Sequence, residues 1–539
     1  MQRLVSPVRF FDDELLALAR WASLRYVSPL AAVLGVLAPP RVAELEKSWA
    51  AMIRDPSEPV GGSAPPAPNG PELLGSYRGG DGLRTALRKP RGAGSRVFTL
   101  RPAPEDEVGL AVEMVEACLR SGRRSLVIVP EAEPIPATAV ALVDGLGDRV
   151  GTFVGGGQRE RFRTWLDISD GRFEVVVGTR PAVFAPLRDL GLILVSRESH
   201  PAHREDRAPY FHVRDVAVER ARRGAAVCVL SAVCPSSEAA AAGWAQVEPA
   251  SRRWPPVEVV KPGAEGRAPR LVHALRAARR AFVFAPLPGY GVAAFCRSCG
   301  SPAACADCGG MIRQQEGEVR CIVCRAPGRC AVCGAAAFGL RRGGAERVEE
   351  WVGRVASVPV RRAGAPRLPA RAGEIVIGGP ESVRDLGLGE LDLVAVLDAD
   401  LAERRPGLAA RERALSIWME AVGWARPRGR AIVQASNPSD AAVQALVRGN
   451  PGRFHALERE RRARAGFPVG AAVFRVVGTP ELPAEIGAHE PITSLTSAIG
   501  DRTVCLLALE QHRVPAFGAA MRELAGRGVV ERVEAEPHL

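Results

Sequence analysis

Lysine is nearly absent from this chain: of its 72 basic residues, only Lys47, Lys89 and Lys261 are not arginine. With 56 glycines and 44 prolines alongside, that choice of base reads as GC-rich coding bias. Such bias leaves unexplained the excess over 60 acids, which gives a net charge of +12 and a pI near 9.5. This balance favours an acidic partner such as nucleic acid. Aromatics are also scarce, at 5% of the chain. No apolar run approaches the ~18–20 residues of a membrane span, so no span is expected, and no membrane partner. The opening MQRLVSPVRFFDDELL lacks the apolar region of a secretory signal. A cytoplasmic, nucleoid-associated protein is expected.

Cysteine is concentrated. Eight of the 12 cysteines lie between Cys296 and Cys333, as four C-x-x-C pairs separated by 5, 12 and 5 residues. The pairs are Cys296/Cys299, Cys305/Cys308, Cys321/Cys324 and Cys330/Cys333. Each pair turns two thiolates to one side, and two pairs complete the tetrahedral sulfur cage that zinc prefers. Eight thiols make two cages, so two zinc ions per chain are expected. The symmetric gaps favour nesting. Cys305, Cys308, Cys321 and Cys324 would hold one ion across the longer loop, and Cys296, Cys299, Cys330 and Cys333 the other. Sequential pairing would need five-residue loops to close both cages. Disulfides would need an oxidising compartment, and a redox motif needs one C-x-x-C at a helix start, not four in succession. No His or carboxylate among the eight supplies an open catalytic position. Cys118, Cys228, Cys234 and Cys505 are scattered and read as small core residues.

At 539 residues the chain has room for three or four domains. Residues 10–27 place Leu15, Leu18, Ala22 and Tyr26 at helical spacing, with Asp12 or Asp13 as cap, and a second helix fits 29–37. The pair suits a winged-helix or helix-turn-helix module over 1–54, and any small helical module nearly as well. A Pro/Gly-rich linker follows over 55–90. From 96, β-branched runs alternate with helical stretches: RVFTL, SLVIVP, FEVVVGT, GLILVS and AAVCVLSA, then AFVFAP, EIVIGG, LDLVAVLDAD and RAIVQAS. This alternation predicts an α/β fold with two doubly wound parallel lobes, 91–255 and 256–466. The cysteine cluster, 296–333, is an insertion after the first strand of the second lobe. Residues 467–539 form a small C-terminal α/β domain. Residues 401–470 carry 13 Arg against 6 acids, a surplus of +7 that fits a phosphate-tracking surface or a solvated helical face such as 457–466.

Several segments, in order, resemble one family. Val129-Pro130-Glu131, Gly178-Thr179-Arg180 with Ala182 to Pro186, Arg207 to Tyr210, and His212 to Ala217 match its helicase skeleton. The knuckles, Glu346 to Glu350, Asp398-Ala399-Asp400-Leu401, Glu412-Arg413, Asn437-Pro438 and Gly466-Phe467-Pro468 complete the set. On these residues the chain resembles the PriA family of bacterial replication-restart proteins (primosomal protein N-prime), in a degenerate, high-GC, actinobacterial-type form. The resemblance implies two RecA-like lobes with a double-zinc insertion and a winged helix. It also implies that a DNA 3′-end-binding domain is lost or that the start codon lies upstream of Met1.

The family's nucleotide machinery is not matched. A phosphate loop needs G-x-x-x-x-G-K-[ST] for its amides, its cation and its magnesium-holding hydroxyl. The aligned segment runs from Thr99 to Asp106, with Glu105 at the Lys position, Asp106 at the hydroxyl position, and two prolines that remove amides. Each carboxylate would repel a phosphate charge by about 4 kcal/mol at 4 Å and intermediate dielectric. The family's D-E-E-H is Ser196-Arg197-Glu198-Ser199; Glu198 and His200 read as solvated loop residues. Its S-A-T-P-S is worn to the run from Ser231 to Ser236. Gly378-Gly379-Pro380-Glu381, with Arg384 at a Lys position, replaces GTQMxxKG. Trp424 and Pro427 replace the two arginines that would reach a γ-phosphate, leaving Arg426 and Arg428 out of register.

The resemblance therefore implies a motorless, non-enzymatic restart protein that binds forked and single-stranded DNA. It would recruit the primosome and replicative-helicase loading proteins, with single-strand binding protein as a further partner and no ATP as cofactor. Tyr210 and Phe211 are candidates to stack on bases, or core residues. The alternatives are an active ATP-dependent 3′–5′ DNA helicase with an unorthodox site, and a zinc-stabilised interaction scaffold that does not bind DNA.

Overall fold

The architecture is described from a computed structural model, over residues 6, 8–50, 72–89, 96–133, 135–263, 267–285, 292–298, 303, 305–307, 312–315, 318–321, 324–342, 345–363, 373–383, 391–399, 407–425 and 428–537. Two compact units divide the chain. One comprises 1–102, 106–250 and 458–538; the other comprises 103–105, 251–457 and 539.

The first unit is built on a sheet of eight strands among the described residues: β1 (Tyr77–Arg78), β2 (Arg96–Leu100), β3 (Arg124–Ile128), β4 (Val150–Phe153), β5 (Val175–Gly178), β6 (Leu190–Ser196), β7 (Val227–Ser231) and β8 (Ala245–Pro249). Their order is β1-β8-β2-β7-β6-β3-β5-β4. All neighbours are parallel except β1 with β8. β5 and β6 are buried along their whole length, which explains their unbroken apolar sequences: helices cover both faces of a parallel sheet.

Residues 72–89, expected within the linker, fold instead. Leu74, Tyr77, Leu83 and Leu87 join the core on one face of this sheet. Their short spacing hides them among glycines in the sequence, and only the sheet edge gives them a surface to cover. Residues 55–71 lie outside the described residues.

The chain's two ends complete this unit. The first helix, Asp13–Arg25, starts where the Asp12 carboxylate accepts the Leu15 amide at 2.7 Å, and it buries Leu15, Leu18, Ala22 and then Tyr26. Helices Leu30–Leu37 and Ala43–Ala50 follow, with no strand among the described residues before Tyr77. Near the C-terminus, β19 (Ala472–Gly478), β20 (Thr493–Ile499), β21 (Arg502–Leu509) and β22 (Val530–Ala535) form an antiparallel sheet in the order β20-β21-β19-β22. One hydrophobic cluster joins Leu18 of the first helix, Trp165 and Ile193 of the parallel sheet's layers, and Phe474 and Phe517 of the C-terminal part.

The second unit carries a six-stranded parallel sheet among the described residues. Its strands are β9 (Val257–Val260), β10 (Arg280–Phe284), β15 (Val360–Arg362), β16 (Glu374–Gly378), β17 (Leu393–Val396) and β18 (Arg430–Gln434), in the order β15-β16-β10-β17-β18-β9. β9, half-buried at the edge, escaped the sequence pattern, so the cysteine cluster follows the second strand of this sheet rather than the first. Four further described strands between β10 and β15 make two small two-stranded sheets. No described helix is long and apolar enough to cross a membrane.

A buried ionic cluster ties the first unit together. The Arg214 guanidinium lies 2.9 Å from Asp215, 3.3 Å from Glu198 and 3.6 Å from Glu238. Arg25 of the first helix reaches both Asp215 and Glu536 at 3.4 Å. Arg462 closes the set, at 2.8 Å from Glu238 and 3.1 Å from Glu458. Burial opposes ionisation of Asp215, but Arg214 and Arg25 outweigh it and hold its carboxyl well below the usual carboxylate range. The stretch 457–466, expected as a solvated face, is thus only partly one: Glu458 and Arg462 are buried. Removing one partner of a buried pair strands the others, at about 3–5 kcal/mol. Arg214→Met should lower the unfolding free energy by that amount in chemical denaturation, whereas the exposed Arg464→Met should change it by less than about 0.5 kcal/mol.

Candidate functional site

Two places carry the chemistry that the sequence singles out. The first is the cysteine insertion. β11 (Val292–Cys296) pairs with β14 (Phe338–Arg342), and β12 (Ile312–Gln315) with β13 (Glu318–Cys321), both antiparallel. An isolated bridge joins Cys305 to Cys330. This folding collects Cys296, Cys330 and Cys333 in one group and Cys305, Cys321 and Cys324 in another, with the sulfurs of each group within 4.8 Å of one another. Outer knuckles therefore meet outer, and inner meet inner. Cys299 and Cys308, the fourth expected member of each group, lie outside the described residues.

The donor set suits a thiophilic ion. The Sγ atoms of Cys296 and Cys333 are 3.4 Å apart, and those of Cys305 and Cys324 are 3.6 Å apart. A disulfide needs about 2.05 Å. A tetrahedral cage with Zn–S bonds of about 2.3 Å has edges of roughly 3.8 Å. Among the described residues the local core comprises Ala303, Cys305, Ile312 and Cys321, with Val319 and Phe338 beside them.

Two of the knuckles close on a left-handed residue. The amides of Arg325 and Gly334 donate back to the carbonyls of Cys321 and Cys330 at 3.1 and 2.8 Å. Gly334 takes φ +71° at no cost, but Arg325 holds φ +60° with a full side chain. Arg325→Gly should relieve about 1 kcal/mol. The measurement is the rate of metal loss to a chelator, which should fall; an unchanged or faster rate counts against the turn geometry.

The second place is the turn after β2 and the strand ends beside it. In parallel sheets, ligands bind at such carboxyl ends. Here the chain fills the position with its own partners. Glu105 Oε1 accepts from Arg253 at 3.1 and 3.2 Å, and Asp106 accepts the Tyr77 hydroxyl at 2.8 Å. Pro104 sits so close to Gly423 that a Cβ there would lie 2.8 Å from its ring. Trp424 is buried edge-on against Phe282, with ring centroids 5.0 Å apart. Arg384, Asp400, Leu401, Arg426 and Pro427 lie outside the described residues.

Glu198 overturns the expectation of a solvated loop residue. It is fully buried, accepts the Ser236 hydroxyl at 2.6 Å and amide at 3.1 Å, and faces Arg214. His200 is half-buried: its Nδ1 accepts the Ala202 amide, and its Nε2 lies 3.8 Å from Glu131. Phe211 is wholly buried against Phe184, which removes it as a base-stacking candidate, and Tyr210 is half-buried. Arg214 and Asp215 belong to the run His212 to Ala217, whose pattern gives no sign of their burial. Arg253, which neutralises Glu105, carried no signal at all.

His203 was also missed. It is wholly buried, and its Nε2 lies 2.8 Å from the Ser196 carbonyl, which can only accept, so Nε2 carries the proton. Burial pushes its pKa down to about 4, against the smaller opposing pull of that carbonyl. An imidazole depressed in this way stays neutral in the fold while the unfolded chain takes a proton below its ordinary value of about 6.5. Stability should therefore fall as pH drops from about 6.5 towards about 4, by up to ~1.4 kcal/mol per pH unit. His203→Gln should flatten that slope relative to the unaltered chain in denaturant titrations; parallel slopes would contradict the assignment.

No protein-family model matches the chain. It is similar to the probable replication restart protein PriA of Mycobacterium leprae, 31% identical over 521 residues that cover 89% of this chain and 78% of that protein. It is also similar to the replication restart protein PriA of Treponema pallidum, 26% identical over 88% of this chain and 76% of the relative. For the Bacillus subtilis replication restart protein PriA the figures are 24%, 66% and 50%.

Proposed function

The chain belongs to the PriA family of replication restart proteins, and from that premise we propose that it binds abandoned or stalled forks without hydrolysing ATP. Its part is to promote primosome assembly and replicative-helicase loading there. The observation that carries this reading is the turn after β2. Both carboxylates at the phosphate-loop position are engaged, one by Arg253 and one by Tyr77, and a proline beside them abuts Gly423. A triphosphate would have to break these contacts and then face the freed acid.

The remaining positions support the same reading. Glu198 could orient water only if it were released from Arg214 and Ser236. Ser196 stands where a magnesium-holding Asp is needed, and Trp424 belongs to the hydrophobic core. What remains is a scaffold: two parallel sheets read as RecA-like lobes over 91–255 and 256–466, a winged-helix-like module over 1–54 and a C-terminal domain over 467–539. Two zinc ions would be held by Cys296, Cys299, Cys330 and Cys333, and by Cys305, Cys308, Cys321 and Cys324. Thiolate-bound zinc supplies rigidity there, fixing loops as a docking platform.

Forked and single-stranded DNA, primosome proteins and single-strand binding protein are the proposed partners. Basic charge carries the DNA contact, through counterion release.

The test is binding of the zinc-loaded protein to forked and duplex DNA across salt, with and without ATP. Fork preference, a steep salt dependence, no effect of ATP and two zinc ions per chain are expected. Phosphate release should stay at background, and Glu105→Ala should not restore it, because Ser196 and Trp424 remain. DNA-stimulated hydrolysis would favour the helicase reading, and zinc without DNA binding would favour the scaffold.

A further inference from the structure

The C-terminal antiparallel sheet has two edges of opposite character. β22 reads VERVEA and carries Glu531, Arg532 and Glu534, the charges that normally keep an edge from pairing with another strand. β20 reads TSLTSAI, with no charge, no proline and no glycine over seven residues. Its first residue is half-buried and the other six are exposed. Leu495 and Ile499 are 55% and 62% exposed on one face, and Ile492 just before them is 43% exposed. Outside the cysteine insertion the remaining sheet edges of the described residues are short, two residues at β1, four at β4 and β9, and three at β15; within it, the two-stranded sheets leave β11 and β14, of five residues each, and β12 and β13, of four, as edges. β20 is thus the longest neutral edge strand among the described residues. On its outer side, alternate residues present backbone N–H and C=O groups with no described strand against them.

We propose that β20 pairs with β20 of a second copy of this chain, in antiparallel register about a two-fold axis through Thr496. Directly opposed residues of an antiparallel pair point to the same face, and a two-fold axis perpendicular to the sheet keeps each residue on its face. The axis must therefore pass through a residue rather than between two. Full overlap of a seven-residue strand puts its fourth residue, Thr496, on that axis. Thr493 then opposes Ile499, Ser494 opposes Ala498, and Leu495 opposes Ser497. The exposed Leu495 and Ile499 of both copies gather on one face, beside the half-buried Leu506 of the neighbouring β21.

Charge favours a second copy over nucleic acid. β20 offers no cation to a phosphate. Two chains of net charge +12 repel over most of their surfaces, and this neutral edge is where backbones meet without opposing like charges. At the flanks, antiparallel pairing brings the end bearing Glu490 beside the partner's end bearing Arg502, although each also has a partner within its own chain, Arg513 and Glu531. Seven residues at about 3.4 Å each give a seam of roughly 24 Å, below the area of stable complexes, so the dimer is weak, on the order of micromolar.

Sedimentation velocity of the full, zinc-loaded chain over a concentration series tests this. The unaltered chain should pass from monomer to dimer. Thr496→Lys and Thr496→Glu each place like charges across the axis, and each alone should associate about five-fold more weakly or worse. An equimolar mixture of the two variants should regain the association, which also shows that neither loss reflects misfolding. A chain that stays monomeric at the highest concentration, a dimer indifferent to both substitutions, or a mixture that fails to re-associate would each overturn the proposal.

Discussion

Arg214 is the side chain on which the most distant parts of the first unit converge. A guanidinium buried this deeply is tolerated only among carboxylates, and Asp215, Glu198 and Glu238 supply them. Asp215 in turn engages Arg25 near the start of the chain, and Arg25 engages Glu536 near its end. The cluster therefore makes both termini part of the same body as the parallel sheet. It also fixes the fate of Glu198. Its carboxylate is a hydrogen-bonded counter-ion, lodged between Arg214 and Ser236.

The same substitution of internal for external partners recurs at the turn after β2. A phosphate loop is open by design: glycine amides and a lysine wait for an anion. In this chain the turn supplies acids, and protein donors answer them. The scaffold around it keeps its apolar strands because those residues stabilise the sheet whether or not a nucleotide ever binds.

The cysteine insertion follows a different logic. Among its described residues a small cluster of Ala303, Cys305, Ile312 and Cys321 lies beside two groups of three cysteines. Knuckle turns set the sulfurs close enough for a shared ion but too far apart for a disulfide. Rigid loops on a small base suit contact with other molecules. The neutral β20 edge offers contact of another kind, through backbone groups alone.

The sequence by itself determined the features that depend on near neighbours along the chain. Four C-x-x-C pairs, the alternation of β-branched runs with helices and the Asp12 cap are all local, and each is legible from spacing and side-chain type. The stretch 72–89 misled because its apolar residues are sparse until a sheet edge covers them. β9 and β15 are short, partly exposed edge strands with little pattern to read. Only the tertiary structure decided that Glu198 and Phe211 are buried, that Arg253 answers Glu105, and that residues 511 positions apart share one ionic cluster. The reason is physical: burial and ion pairing depend on which surfaces meet, and those partners lie too far apart in the chain for any spacing to reveal them.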